Sequence, residues 1–197
     1  MNTVPTKAES RRRLRSLRVA LGEAQQARAA AQLATRVVTL SHFRSSRRVA
    51  CYLPNDGEID PRPLINRIWR MRKRCYLPVL SRLSHDRLWF APVTRKTRFR
   101  PNRYGIPEPL TSARTWVRAQ ELDLVLMPLV GFDVLGNRLG MGGGFYDKSL
   151  AYLRDRHCWT RPKLVGLAYD FQKVDALTPE PWDIPLDAIA TDQAIYL

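Results

Sequence analysis

The residues best placed to do chemistry lie close together. Six of the ten glycines fall between Gly131 and Gly144, in a stretch that also carries Arg138 and ends at Asp147. This stretch directly follows the most apolar segment of the chain and directly precedes a helical pattern. Ligands of α/β proteins bind there, beyond the carboxyl end of a strand. Glycines let backbone N–H groups turn inward and approach an anion closely. The following helix adds the positive end of its dipole. Arg138 adds a planar fork for phosphate oxygens. Asp147, one helical turn on, is placed to hold a magnesium ion that bridges such phosphates. Two familiar loops do not fit. Gly131 and Gly136 have Walker A spacing, but Asn137-Arg138 stands where Lys-Ser/Thr is required. From Gly140 and Gly142 the third glycine of a dinucleotide fingerprint would fall on Phe145. A phosphate loop and a plain surface turn before a helix both remain open on this pattern alone.

Other chemistries have less support. Cys51, Cys75 and Cys158 are odd in number and scattered, with no C-x-x-C. That argues against a disulfide scaffold or zinc site and fits a reducing cytosol. His42, His85 and His157 are far apart in sequence. Lys and Arg number 33 and Asp and Glu 18, a net +15. Such a field attracts polyanions without choosing among them. A nucleic-acid binder is one alternative reading, although no RNP-type aromatic motif, zinc spacing or helix-turn-helix is present. A different small-molecule kinase using the same loop is another.

The surrounding elements read as alternating helices and strands. Residues 6–40 are helical, with a Thr6-x-x-Glu9 capping box and a break at Gly22. Leu14, Leu17 and Leu21 form one stripe, and Arg11, Arg15 and Arg18 a neighbouring one. Val49–Leu53 is a buried strand, followed by turn chemistry at Pro54–Gly57. A helix is expected from Ile59 to Met71, and strands at Cys75–Leu80 and Leu88–Val93. The basic, Pro-rich stretch 94–110 reads as a long loop. Leu122–Val130 is the central strand. Phe145–Arg156 is a helix, and Leu164–Tyr169 and Ala188–Ile195 complete the strands. Continuous apolar strands alternating with helices predict a mostly parallel α/β sheet covered by helices on both faces, a Rossmann-like three-layer sandwich. One domain over residues 1–197 is expected. With 45% apolar residues, the chain is neither disordered nor low in complexity. No apolar run approaches the ~18–20 residues of a membrane span. The basic N-terminus lacks an apolar h-region, so it is not a secretory signal. A cytoplasmic monomer is expected, with neither a membrane nor nucleic acid as its partner.

The run Asn137–Asp147 closely resembles the signature of the 5-formyltetrahydrofolate cyclo-ligase (methenyltetrahydrofolate synthetase) family. The resemblance spans nearly the whole chain, through the basic N-terminal helix, Tyr52-Leu53-Pro54 with Glu58-Ile59-Asp60, Met127–Asp133, and the tail Trp182–Asp192. It implies ATP-dependent cyclisation of 5-formyltetrahydrofolate to 5,10-methenyltetrahydrofolate, with release of ADP and phosphate, through a phosphorylated N5-formyl group. It places ATP on Arg138, Leu139, Gly140, Met141, Gly142, Gly143, Gly144, Phe145 and Tyr146, with Arg11 and Arg15 of the first helix. It places magnesium on Asp147 and Asp187, and the folate near Leu53, Glu58 and Tyr146. Arg138 and Asp147 carry the catalytic roles. The family often has Lys where this chain has Arg11, with Lys7 one turn earlier as the alternative, and many members have a basic residue where Gly143 stands. The folate is expected to arrive polyglutamylated in some forms. The basic run Arg95, Lys96, Arg98, Arg100 and Arg103, beside Tyr104, would then steer the tail or be a solvated loop.

Overall fold

Thr6 starts the first helix as its capping box predicts: its hydroxyl accepts from the Glu9 amide (3.2 Å) and the Glu9 carboxylate accepts from the Thr6 amide (2.8 Å). In the computed structural model, which describes residues 6–80, 87–103, 105–155 and 157–197, α1 spans Lys7–Val19, α2 Glu23–Val37, α3 Ser41–Ser45, α4 Arg62–Arg70 and α5 Phe145–Ser149. His85, Tyr104 and Arg156 lie outside the described residues. Gly22 caps α2, and Pro61 precedes the first turn of α4, where its missing N–H costs nothing.

The strands are β1 (Arg48–Ala50), β2 (Arg74–Leu80), β3 (Leu88–Val93), β4 (Phe99–Pro101), β5 (Pro107–Pro109), β6 (Leu124–Pro128), β7 (Gly131–Phe132), β8 (Arg138–Leu139), β9 (Lys163–Ala168), β10 (Ala188–Thr191) and β11 (Ile195–Tyr196). Seven form one sheet in the order β11-β10-β9-β6-β1-β2-β3, with β6 at its centre. The five inner strands run parallel; β3 and β11 are antiparallel at the edges. The sheet is thus mostly parallel, as the apolar runs predict.

Side chains alternate along each strand, and the two faces bury different layers. Leu124 and Leu126 of β6 pack with Leu33, Val37, Phe43, Leu64 and Ile68 of α2, α3 and α4. Val125 and Met127 face the other way, against Leu122, Leu150, Leu153, Ile184 and Leu186. Each such fully buried side chain contributes roughly 1.5–3 kcal/mol. The second layer differs from expectation. Phe145–Arg156 is not one helix: α5 stops at Ser149 and a 3-10 turn follows over Ala151–Arg154. Short turns and the tail, rather than long helices, cover that face.

Two further departures matter for the site. The 94–110 stretch is not all loop, because β4 and β5 pair antiparallel. The Glu108 carboxylate fastens this hairpin by accepting from the Leu80 amide and from Asn102 Nδ2, both at 3.0 Å. The glycine-rich segment also begins as a hairpin, β7 with β8. α1 lies across it, with Leu14 packed on Val130 and Leu139. Gly131 permits that approach, since a Cβ there would sit 2.9 Å from Leu14 Cδ1. Among the described residues no helix is long and apolar enough to cross a membrane.

Candidate functional site

A cleft of about 920 Å³ opens beyond the carboxyl ends of β1 and β6. The chain after β1 (Leu53, Glu58) forms one side and the glycine segment from Asn137 to Asp147 another. The tail from Leu177 to Pro185 and the first turn of α1 face them, and the β4–β5 hairpin supplies Ile106 and Pro107 at the rim.

The glycine segment presents its backbone to this space. Gly142 and Gly144 have φ of +101° and +64°, a region where a Cβ would be strained. The N–H groups of Gly142, Gly143 and Gly144 find no acceptor among the described residues. A Cβ at Gly140 or Gly142 would meet nothing within 4 Å, so both face open cleft. Gly143 is different: a Cβ there would press on the Phe145 ring at 3.0 Å. That ring occupies the ground a longer side chain at this position would need.

Arg138 projects from β8 with its side chain only 6% exposed. Its two terminal nitrogens donate to the Ile184 carbonyl and to an Asp147 carboxylate oxygen. The catalytic pair singled out from the sequence is therefore a salt bridge closed across nine residues, between a strand and the first turn of α5. Leu139 is mostly core, packed under Leu14 and Val130. Met141, Phe145 and Tyr146 line the cleft.

The first helix behaves differently from expectation. Arg11 lies at the cleft, donating from Nε to the Gly140 carbonyl (2.8 Å), which pins α1 to the glycine segment. Arg15 does not line the cleft. It makes a two-pronged bond to Asp56 (2.7 and 3.2 Å), because the Pro54–Gly57 turn places that carboxylate under the helix end. Arg18 completes the group. It is fully buried, and it donates to Asp56 (2.7 Å) and to the Leu129 carbonyl (3.3 Å). The Arg11-Arg15-Arg18 stripe was visible in the sequence. What lies opposite it was not, since that depends on a turn almost forty residues away. Lys7 also reaches the cleft and pairs with Glu180 at 2.8 Å.

Glu58 lies on the far side from Arg138. Desolvation pushes its carboxyl from the ordinary 4.5 up to about 7; the Asn55 amide bond (3.1 Å) and the Arg18 charge pull the other way. Tyr146 faces it from the start of α5. Burial drives the Tyr146 hydroxyl well above its ordinary range, and the Glu58 charge adds to this. Leu53, Glu58 and Tyr146 thus share one lobe of the cleft.

Asp187 does not join them. Its carboxylate accepts from the Leu164 amide (2.8 Å) and pairs with Lys163 (3.0 Å) at the amino ends of β9 and β10, the opposite end of the sheet from the cleft. A shared Asp147–Asp187 metal site is therefore not assembled. The described residues contain no cluster of three or more His, Cys, Asp or Glu able to hold a metal. What remains fits a magnesium ion carried by phosphate: such ions keep several waters and take only one or two carboxylates, and Asp147 offers one at the cleft wall.

Asp133 is a further contributor, within a block that drew attention for its resemblance alone. It is buried and accepts from the amides of Leu135 (3.0 Å), Asn137 (3.0 Å) and Leu177 (2.9 Å) and from Asn137 Nδ2 (2.9 Å). One carboxylate thereby fastens the β7–β8 hairpin to the start of the tail wall.

A model of the 5-formyltetrahydrofolate cyclo-ligase family matches residues 3–192. The chain is 42% identical over 183 residues to the 5-formyltetrahydrofolate cyclo-ligase of Escherichia coli K12, covering 93% of this chain and 98% of that protein. It is 37% identical over 186 residues to the Haemophilus influenzae 5-formyltetrahydrofolate cyclo-ligase, covering 94% and 97%. The NMR structure of Aquifex aeolicus 5,10-methenyltetrahydrofolate synthetase superposes with a TM-score of 0.80 at 29% identity, covering 96% of this chain and 91% of that one.

Proposed function

Because the chain belongs to the 5-formyltetrahydrofolate cyclo-ligase family, we propose that its carboxyl-end cleft is where the two substrates of that reaction meet. The activity converts 5-formyltetrahydrofolate to 5,10-methenyltetrahydrofolate, and the family uses ATP. The observation that carries the placement is the row of unpaired N–H groups at Gly142, Gly143 and Gly144, facing a cleft with Arg11 and Arg138 beside them and Glu58 across it.

The triphosphate lies on the glycine amides, with Arg11 and Arg138 neutralising its charge. The pterin lies in the lobe of Leu53, Glu58 and Tyr146. There the ionised Glu58 accepts hydrogen bonds from the ring's N–H donors. The formyl oxygen attacks the γ-phosphorus, and the bond to ADP breaks. The formyl carbon, now carrying a good leaving group, is attacked by N10. N10 loses its proton, the carbon–oxygen bond breaks, and phosphate departs from the amidinium product. Such a step needs alignment and charge neutralisation more than a strong base. The fixed amides and guanidinium groups are preorganised for it. A magnesium ion held by Asp147 and the phosphates, when bound, supplies further neutralisation of the transferring group. Asp147 also holds the Arg138 fork in place.

The test is an absorbance assay with purified protein, 5-formyltetrahydrofolate and ATP, followed in the near ultraviolet where the methenyl product absorbs. Product should form only when both ATP and magnesium are present. Product formation without ATP would overturn the reading of the glycine segment.

A further inference from the structure

The tail wall carries a large aromatic side chain that neither the fold nor the reaction just described uses. Trp182 is 56% exposed, yet it lines the cleft rather than the outer surface. It sits on a turn held tightly from both sides. Within the turn, the Asp183 carboxylate accepts from the Glu180 amide (2.8 Å) and the Asp183 amide donates to the Glu180 carbonyl (3.0 Å). Before Trp182, the Lys7–Glu180 ion pair ties the turn to α1. After it, Ile184 takes a hydrogen bond from Arg138. An indole on a braced turn is a preorganised flat surface, offered at low cost in side-chain entropy.

Its neighbours decide what it would meet. Lys7 and Arg138, which brace the turn, flank the glycine amides on the same side of the cleft. Leu53, Glu58 and Tyr146 form the other lobe. A ligand whose phosphates rest on the amides therefore extends its remaining half toward the tail turn. The geometry points to Trp182 as the stacking platform for the adenine base of the nucleotide. This rests on the placement of ATP proposed above and adds the residue that reads its base.

Replacement of Trp182 by Ala should raise KM for ATP about tenfold, within the range for loss of one base from an aromatic face. The KM for 5-formyltetrahydrofolate and kcat at saturating ATP should stay within about twofold of wild type, a smaller change than one lost base contact makes. Trp182→Phe should restore most of the affinity. Binding is read separately by intrinsic fluorescence: ADP quenches the wild-type emission, tripolyphosphate does not, and Trp182→Phe abolishes the ADP quench. An unchanged KM for ATP, a rise confined to the folate KM, or a quench that survives in Trp182→Phe would each overturn the assignment. Failure of the wild type to require ATP at all is a different result, and it removes the nucleotide placement itself.

Discussion

Glu58→Gln is expected to make the protein more stable and a poorer enzyme, and the two effects separate by pH. Desolvation lifts the Glu58 carboxyl from 4.5 to about 7 in the folded chain. The folded state then holds this proton more tightly than the unfolded state between those values. Stability falls as pH rises through that window, and the penalty is complete above 7. A difference of about 2.5 pH units corresponds to about 3 kcal/mol at most. Glutamine keeps an acceptor for the Asn55 amide and carries no charge, so the variant escapes the penalty. Its melting temperature should match wild type near pH 4 and exceed it by roughly 6–12 °C at pH 8, given the usual 2–4 °C per kcal/mol for a chain of this size. Loss of a charge-assisted contact to the pterin should at the same time raise the folate KM by roughly ten- to a hundredfold. Melting curves across pH, paired with the methenyl absorbance assay, measure both. A stability gain that does not grow between pH 4 and pH 8 would refute the desolvation argument. A folate KM left untouched would remove Glu58 from the pterin lobe.

Asp147→Ala strips the counter-ion from the nearly buried Arg138 guanidinium; activity should fall by at least two orders of magnitude, the scale of losing a preorganised charge contact, and stability by about 2–3 kcal/mol, read by the same assay and by urea melts. Asp187→Asn should leave the magnesium dependence of the rate unchanged while lowering stability by about 1 kcal/mol through the weakened bond to Leu164; loss of the metal response in that variant would contradict its placement away from the cleft. Arg18→Met should destabilise the fold by about 3 kcal/mol, because Asp56 and the Leu129 carbonyl lose a buried donor, and urea melts report it directly. Gly144→Ala, forced to a φ of +64°, should cost about 1–2 kcal/mol and raise KM for ATP in steady-state kinetics.

Local chemistry made much of the architecture legible. Thr6 and Glu9 cap α1 as their spacing demands, β3 begins and ends at the apolar run Leu88–Val93, and the most apolar segment becomes the central strand β6. The glycine segment also lies where α/β sheets leave a crevice. The β4–β5 hairpin was hidden because Pro101, Pro107 and Pro109 and the surrounding arginines carry no strand pattern; its pairing depends on Glu108 reaching Leu80 across the chain. Helical spacing identified the arginine stripe of α1, but the partners of Arg15 and Arg18 are set by the Asp56 turn. Asp187 looked available for a metal only because sequence does not show which end of the sheet a residue reaches. The Arg138–Asp147 pair, although within nine residues, joins two elements whose relative position the hairpin decides.

The bond from Arg11 to Gly140 and the ion pair from Lys7 to Glu180 span 129 and 173 residues of chain. The earliest helix to leave a ribosome is therefore fastened to some of the last residues made. At roughly 5–20 residues per second, the interval is about ten to thirty seconds. For that time the arginine-studded helix has no native seat, and the catalytic crevice is finished only after nearly all of the polypeptide exists.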